Sequence, residues 1–264
     1  MIVKSWQANG LNLFALQRLY VFLETDKVEY SLSSSGDNFT TSYVTTTTSS
    51  ASVETDTTIE VASITGISAS DNIGVELSDG SMQWTTVDGA PSGTTVTLSD
   101  ALTDDVNTSA RVYVYTTTAD RPMRIYNAVR RTSSNIDTPL KIINRSEYVM
   151  LSNKQSEGSV LSIYYDPQVG TGKLFVYPEP TNTTDILVLW VQRTLEDFDA
   201  ASDDVDFPQE WYLPLALGLA AALLPKYNVP NSVASRVMGL FSYYKAMADG
   251  FDSEQYVKIE PEYM

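Results

Sequence analysis

The chain has 264 residues, 43% of them hydrophobic, with a formal net charge of −16, no His and no Cys. Without Cys there are no disulfides, thiolate metal sites or Cys nucleophiles. Without His the commonest general base and metal ligand are missing, so Ser-His-Asp catalysis and His-ligated zinc hydrolysis are excluded within one chain. The acidity disfavours a grip on phosphate backbones, whereas a protein that surrounds DNA without holding it, or a hydrolase working with carboxylates alone, passes these filters.

In chain order, "MIVKSWQANG" has no basic region leading into an apolar one, so no signal peptide is expected. The sequons beginning at Asn38, Asn107, Asn144 and Asn182 then read as chance in a Thr- and Ser-rich chain. Ile2, Val3 and Trp6 sit at helical spacing, with Asn9-Gly10 as a stop. "RLYVFLE" and "KVEYSL" follow. Val28, Tyr30 and Leu32 alternate with polar residues, which predicts a half-buried strand, and Thr25-Asp26 suggests a hairpin between the two runs.

Composition then shifts. Residues 46–118 hold ten acidic residues and one basic, a net −9, whereas residues 119–154 hold seven basic and three acidic, a net +4. The acidic segment predicts an all-β module, a small barrel or sandwich, with strands at "TIEV", "NIGVEL", "SMQWTTV", "TTVTLSDAL" and "ARVYVY". Asp79-Gly80 suits a primed hairpin turn, and "TTTTSSAS" looks like a linker into the module. The module is read as an insertion, after which "RPMRIYNAVRRTS" and "TPLKIINRSEYVMLSNK" resume the host. "VLSIYYDPQVGTGKLFVYPEP" predicts strand, turn, strand. "DILVLWVQR" is apolar on both faces and predicts a buried central strand, completing an antiparallel meander.

The C-terminal region predicts a helical hairpin. Pro208 and Glu210 suit a helix start, and Pro214 marks a kink or a later start. The run Trp211 to Leu224 has 14 residues, short of the roughly 20 that a membrane span needs, so no membrane is expected. Its small residues Ala216, Gly218, Ala220, Ala221 and Ala222 would admit a close partner helix, supplied by the stripe Val233, Val237, Leu240, Tyr244 and Met247. "SEQYVKIEPEYM" reads as an extended tail.

Candidate chemistry is sparse. "VGTGK" (169–173) lacks the spacing and the Ser/Thr of a phosphate loop and reads as a hairpin turn. "LEDFDAASDDVD" (195–206) has six carboxylates without the order of a calcium loop, which fits a solvated loop entering a helix; a carboxylate hydrolase would use Asp203 and Asp204. The aromatic strands "SIYY", "LFVY" and "YVY" suit packing more than sugar stacking. The one basic cluster, Arg121, Arg124, Arg130 and Arg131, is either a solvated face or a subunit-interface segment able to meet the −9 module of a next copy. No catalytic, cofactor or metal residue is assigned, and an enzyme is not expected.

"SWQANGLNLFALQRLYVFLE", "SIYYDPQVGTGKLFVYPEP", "VQRTLEDFDAASDDVDFPQEW" and the helical hairpin, in this order, resemble the head-to-tail adaptor proteins of short-tailed bacteriophages, also called tail accessory or packaged-DNA stabilisation proteins. The inserted segment is similar to a β-module that several of these carry. The resemblance implies an α+β fold: a helical-bundle core with the C-terminal helical hairpin and a small antiparallel β-meander (1–45 and 119–254), the inserted β-module (46–118) and a C-terminal tail (255–264). It implies a virion structural protein of the neck, assembled in the host cytoplasm. Such a protein forms a homo-oligomeric, dodecameric ring that binds the portal, extends the DNA channel without specific binding, and presents a platform for a downstream tail or nozzle protein. The family's portal-docking extension maps onto Val257, Ile259, Tyr263 and Met264. The alternative is a tail or decoration protein whose β-module binds a surface glycan or a capsid face.

Overall fold

The computed structural model describes residues 13–195 and 208–251. They fall into two compact units, one spanning Gln17–Arg193 and the other drawn from the segments on either side. The expected helical-bundle core is absent among the described residues. Strands in five sheets take 36% of the described residues and helices 20%. The bundle was implied by the resemblance, but the host segments themselves alternate with the period of two that builds strands.

In the larger unit the host is a sandwich. One sheet has the order β11–β10–β17–β1–β3, from β1 (Leu16–Phe22), β3 (Phe39–Thr40), β10 (Arg124–Arg131), β11 (Asp137–Pro139) and β17 (Ile186–Gln192). The other has the order β12–β14–β15–β2, from β2 (Glu29–Leu32), β12 (Lys141–Ile142), β14 (Ser162–Asp166) and β15 (Gly172–Tyr177), and a short parallel pair joins β13 (Glu157–Gly158) to β16 (Glu179–Pro180). Leu19, Val21, Ala128, Leu187 and Leu189 of the first meet Tyr30, Leu32, Ile163, Leu174 and Val176 of the second in one core. A short helix, α1 (Arg145–Val149), starts with a capping box between Asn144 and Glu147, and Tyr148 on it stacks with Tyr164 and Phe175 of the second sheet.

Two pairings differ from expectation. Thr25-Asp26 does turn, with Asp26 at φ 58°, but β1 and β2 join different sheets, so this is a sandwich corner and not a hairpin. The three-stranded meander does not form either. β14 and β15 pair antiparallel, while β17 crosses to the centre of the other sheet between β10 and β1, where its two apolar faces are both covered.

Residues 44–115 form a second β structure: β4 (Val44–Thr47), β5 (Thr58–Glu60), β6 (Asn72–Glu76), β7 (Met82–Thr86), β8 (Thr95–Thr97) and β9 (Arg111–Tyr115). The order β4–β9–β6–β7 and the pair β5–β8 are joined by antiparallel bridges Thr48↔Val61 and Val87↔Leu98, which close six strands into a small barrel around Ile59, Ile73, Val75, Val96, Val112 and Val114. "TTTTSSAS" is therefore not a linker. Its β-branched threonines form β4, and buried Thr48 donates to the Asn107 carbonyl at 2.6 Å. The Asp79-Gly80 turn is not of the primed type. Gly80 alone takes a left-handed conformation (φ 86°) and its amide donates back to the Leu77 carbonyl, the three-residue hairpin loop with a bulge.

Barrel and host meet along an aromatic seam. Along β9 the valines point into the barrel while Tyr113 and Tyr115 point out to the host. There, fully buried Phe22 contacts Tyr43, Trp84, Tyr113 and Tyr115, with ring centroids 4.9–5.7 Å apart. The Tyr113 hydroxyl donates to the Thr184 carbonyl at 2.6 Å, Tyr115 to Asn38 Oδ1 at 2.7 Å, and Thr183 Oγ1 to the Gly80 carbonyl at 2.7 Å.

In the smaller unit, a 3-10 turn (Gln209–Trp211) leads into α2 (Tyr212–Leu223), which is followed by α3 (Asn231–Phe251). Pro214 falls in the first turn of α2, where its missing amide removes no intrahelical bond. Pro214 and Gly218 give α2 a close face. The inward stripe of α3 is rotated from the expected one: Ala234, Val237, Phe241, Tyr244 and Ala248 turn inward, while Val233, Leu240 and Met247 are exposed. Phe14, Ala15, Leu195, Trp211, Leu215 and Ala248 form this unit's core. The expected N-terminal helix around Ile2, Val3 and Trp6 lies outside the described residues.

Trp84 lies across Gly74, its cross-strand partner, so closely that a Cβ there would stand 2.8 Å from the ring. Gly74→Ala is expected to push Trp84 out of the seam and cost about 1–3 kcal/mol in chemical denaturation. A second expectation concerns alkaline pH. Burial is the main cause pushing the Tyr30 and Tyr113 phenols well above their ordinary value. Their folded values exceed the unfolded one, so their contribution to stability is complete below about pH 10 and is lost as pH rises from there through the folded values. Stability should fall steeply above about pH 10, with tyrosinate absorbance appearing together with unfolding, and Tyr113→Phe should flatten the fall.

Candidate interaction surface

The structure separates the four arginines of the basic cluster. Arg124, Asn127, Val129 and Arg131 lie on the outer face of the five-stranded sheet, opposite Gln192, Trp190, Val188 and Ile186. An irregularity between Ile125 and Asn127 resets the alternation there. Arg130 lies on the inner side, close to Asp185 (Nε to Oδ2 3.4 Å), with its Nε and Nη1 buried without a hydrogen-bond partner. Burial pushes the Asp185 carboxyl up and Arg130 only partly opposes this. Arg131 binds Asp137 through two bonds of 2.7 and 2.8 Å, and Arg121 lies beside the Tyr165 hydroxyl. The charges of Arg130 and Arg131 are thus engaged within the chain, and Arg124 is exposed.

The outer face has two ends. Phe22, Ile186 and Val188 are covered by the barrel. Beyond them the face carries Tyr20, Arg18, half-buried Trp190 and exposed Asn127. The Arg18 guanidinium sits 5.5 Å from the centre of the Trp190 ring. Beside Trp190, a pocket of about 330 Å³ is lined by Asn127, Val129 and Pro139. Trp, Tyr and Arg are the side chains most enriched where binding energy concentrates in protein interfaces.

A second surface belongs to the helix pair. Ten large apolar side chains there are exposed, including Leu213, Leu219, Leu223, Tyr227, Met238 and Tyr243, and α2 carries no charged residue. A helix apolar on all sides is ordinarily buried, and exposed apolar side chains in such number mark an interaction surface.

Other candidates gain no site. Among the described residues no three acidic side chains gather where they could hold a metal ion, and no helix is long and apolar enough to cross a membrane. "VGTGK" is a turn with exposed Val169 and Gly170 at φ 85°. The aromatic strands pack: Tyr113 and Tyr115 in the seam, Tyr164 and Phe175 beneath Tyr148. Asp203 and Asp204, and the docking residues Val257, Ile259, Tyr263 and Met264, lie outside the described residues. Sequence reasoning missed Arg18, Tyr20 and Trp190. Their signal was an Arg and a Tyr at alternate positions in one strand and a Trp in another, without a lone cue to pair them.

No protein-family model matches the sequence, and no curated protein is significantly similar to it.

Removing Asp185 leaves Arg130 buried without its counter-charge. Asp185→Ala is expected to lose about 3 kcal/mol in denaturant titration, and Arg130→Met added to it should recover most of that loss.

Proposed function

We propose that the chain is the subunit of a homo-oligomeric structural ring, an adaptor of the phage neck that joins the portal to the tail and surrounds the DNA path. The observation that carries the oligomer is the helix pair, whose apolar side chains point outward on faces that α2 and α3 do not cover for each other. Water contact with such a surface is costly, and a neighbouring subunit removes it. The order of segments resembling the head-to-tail adaptors supports the place of the ring in the virion. The β-rich core departs from the helical bundle of that family, so the argument for the ring rests on the helix pair and not on fold. The charge of −16 with neither His nor Cys suits a wall past which DNA slides, because a phosphate grip would slow its passage.

Native mass spectrometry of the protein alone and with the cognate portal should show a closed ring. Leu219→Glu with Leu223→Glu should leave folded monomers, since both side chains are exposed on α2. A wild-type protein that stays monomeric at high concentration and ignores the portal would overturn this reading.

A further inference from the structure

The barrel covers one end of the outer face of the five-stranded sheet, and the other end bears cations around an aromatic centre. We propose that this second end is the docking surface for the acidic barrel of another copy, an inference that rests on the homo-oligomer reading above. Arg18 and Arg124 are exposed there and have no ion-pair partner among the described residues. Trp190 lies between their strands on β17, and the pocket it lines with Val129 and Pro139 opens on the far side, between β10 and β11. Stacking and desolvation at a half-buried Trp suit a contact with an apolar centre and a charged rim.

The barrel carries the complement. Segments 52–56 and 102–106 are laced together by four backbone hydrogen bonds: Ser52 to Val106 in both directions, Thr55 to Leu102, and Leu102 to Asp56. They present Glu54, Asp56, Asp104 and Asp105 around Val53, which is 60% exposed and the barrel's one exposed large apolar side chain among the described residues. The arrangement is held in place, with Asp56 accepting from the Val53 amide at 3.0 Å and Asp105 from the Glu54 amide at 2.9 Å. No cation dilutes it. The barrel's one basic residue, Arg111, has its guanidinium on the Ser133 carbonyl and Thr45.

Val53 then enters the pocket beside Trp190, and the carboxylates around it face Arg18 and Arg124. The same subunit's barrel cannot serve, because the seam holds it at the other end of the face. The contact is head-to-tail: each copy offers a barrel to one neighbour and a sheet face to the other, the kind of interface from which rings are built when its rotation closes. Nucleic acid is a poor occupant, since the chain as a whole repels phosphate.

The test is charge exchange in the full chain, read by native mass spectrometry and sedimentation. Arg18→Glu with Arg124→Glu, and separately Glu54→Lys with Asp105→Lys, should each raise the concentration for half-assembly at least about tenfold while the chain stays folded by circular dichroism. All four substitutions in one chain should restore assembly. Either pair assembling like wild type, or failure of the fourfold variant to recover, overturns the inference while leaving the ring reading intact. So does a reversed pair that still forms the ring and loses only the portal. A wild-type chain that is monomeric with and without portal removes both.

Discussion

The packing around Phe22 is the constraint on which the larger unit depends. This ring comes from a strand of the host sheet and is buried among Tyr43 at the entry to the barrel and Trp84, Tyr113 and Tyr115 from the barrel wall. Each such pair adds about 0.5–1.5 kcal/mol beyond the area it buries. The inserted barrel is therefore held to the sandwich by a core of its own, not by its two connections alone. β9 is the reason both cores can form. Its valines fill the barrel and its tyrosines fill the seam, so loosening either side disturbs the other. Gly74 matters for the same reason, because only a residue without a side chain lets Trp84 lie flat across β6.

The alternation of apolar residues made most strands legible, and the acidic segment stood out as a β structure through its turns and β-branched residues. Partnership was not legible. Val28, Tyr30 and Leu32 read equally well as a hairpin mate of the preceding strand or as an edge of a different sheet, because local alternation fixes a face and not a neighbour. "DILVLWVQR" showed burial on both sides but not that it would leave its neighbours in sequence to sit between β10 and β1. The threonine run looked like low-complexity linker, yet threonine is β-branched and its hydroxyl can satisfy a buried carbonyl, as Thr48 does. The helical bundle came from resemblance alone and had no support in the periodicity of the host segments.

The basic cluster illustrates how a charge run dissolves on folding. Four arginines within eleven residues look like a stripe. Alternation sends neighbours Arg130 and Arg131 to opposite faces, and each meets a carboxylate of the same chain. Elsewhere Lys27 bonds Glu24 and Asp37, Lys173 pairs with Glu29, and Lys141 with Glu147. Local pairs thus use much of the positive charge of the host, and the barrel, with ten acids to one base, keeps its negative charge outward. The cations that stay exposed on the outer face, Arg18 and Arg124, came into view only when the strands were laid side by side.

In the proposed ring these two surfaces would divide the work of assembly differently. Subunits that each carry −16 repel one another, so association of like chains needs a favourable term that is insensitive to sign. The apolar helix pair would supply such a term, but apolar contact is not directional and by itself permits many registers. A charged rim does the opposite: it adds little affinity in water, yet it penalises every arrangement that sets carboxylate against carboxylate. In an acidic chain most trial contacts are of that penalised kind. In such a ring the two exposed arginines, Arg18 and Arg124, would favour one register, because they mark a place on the sheet where an acidic neighbour meets less repulsion.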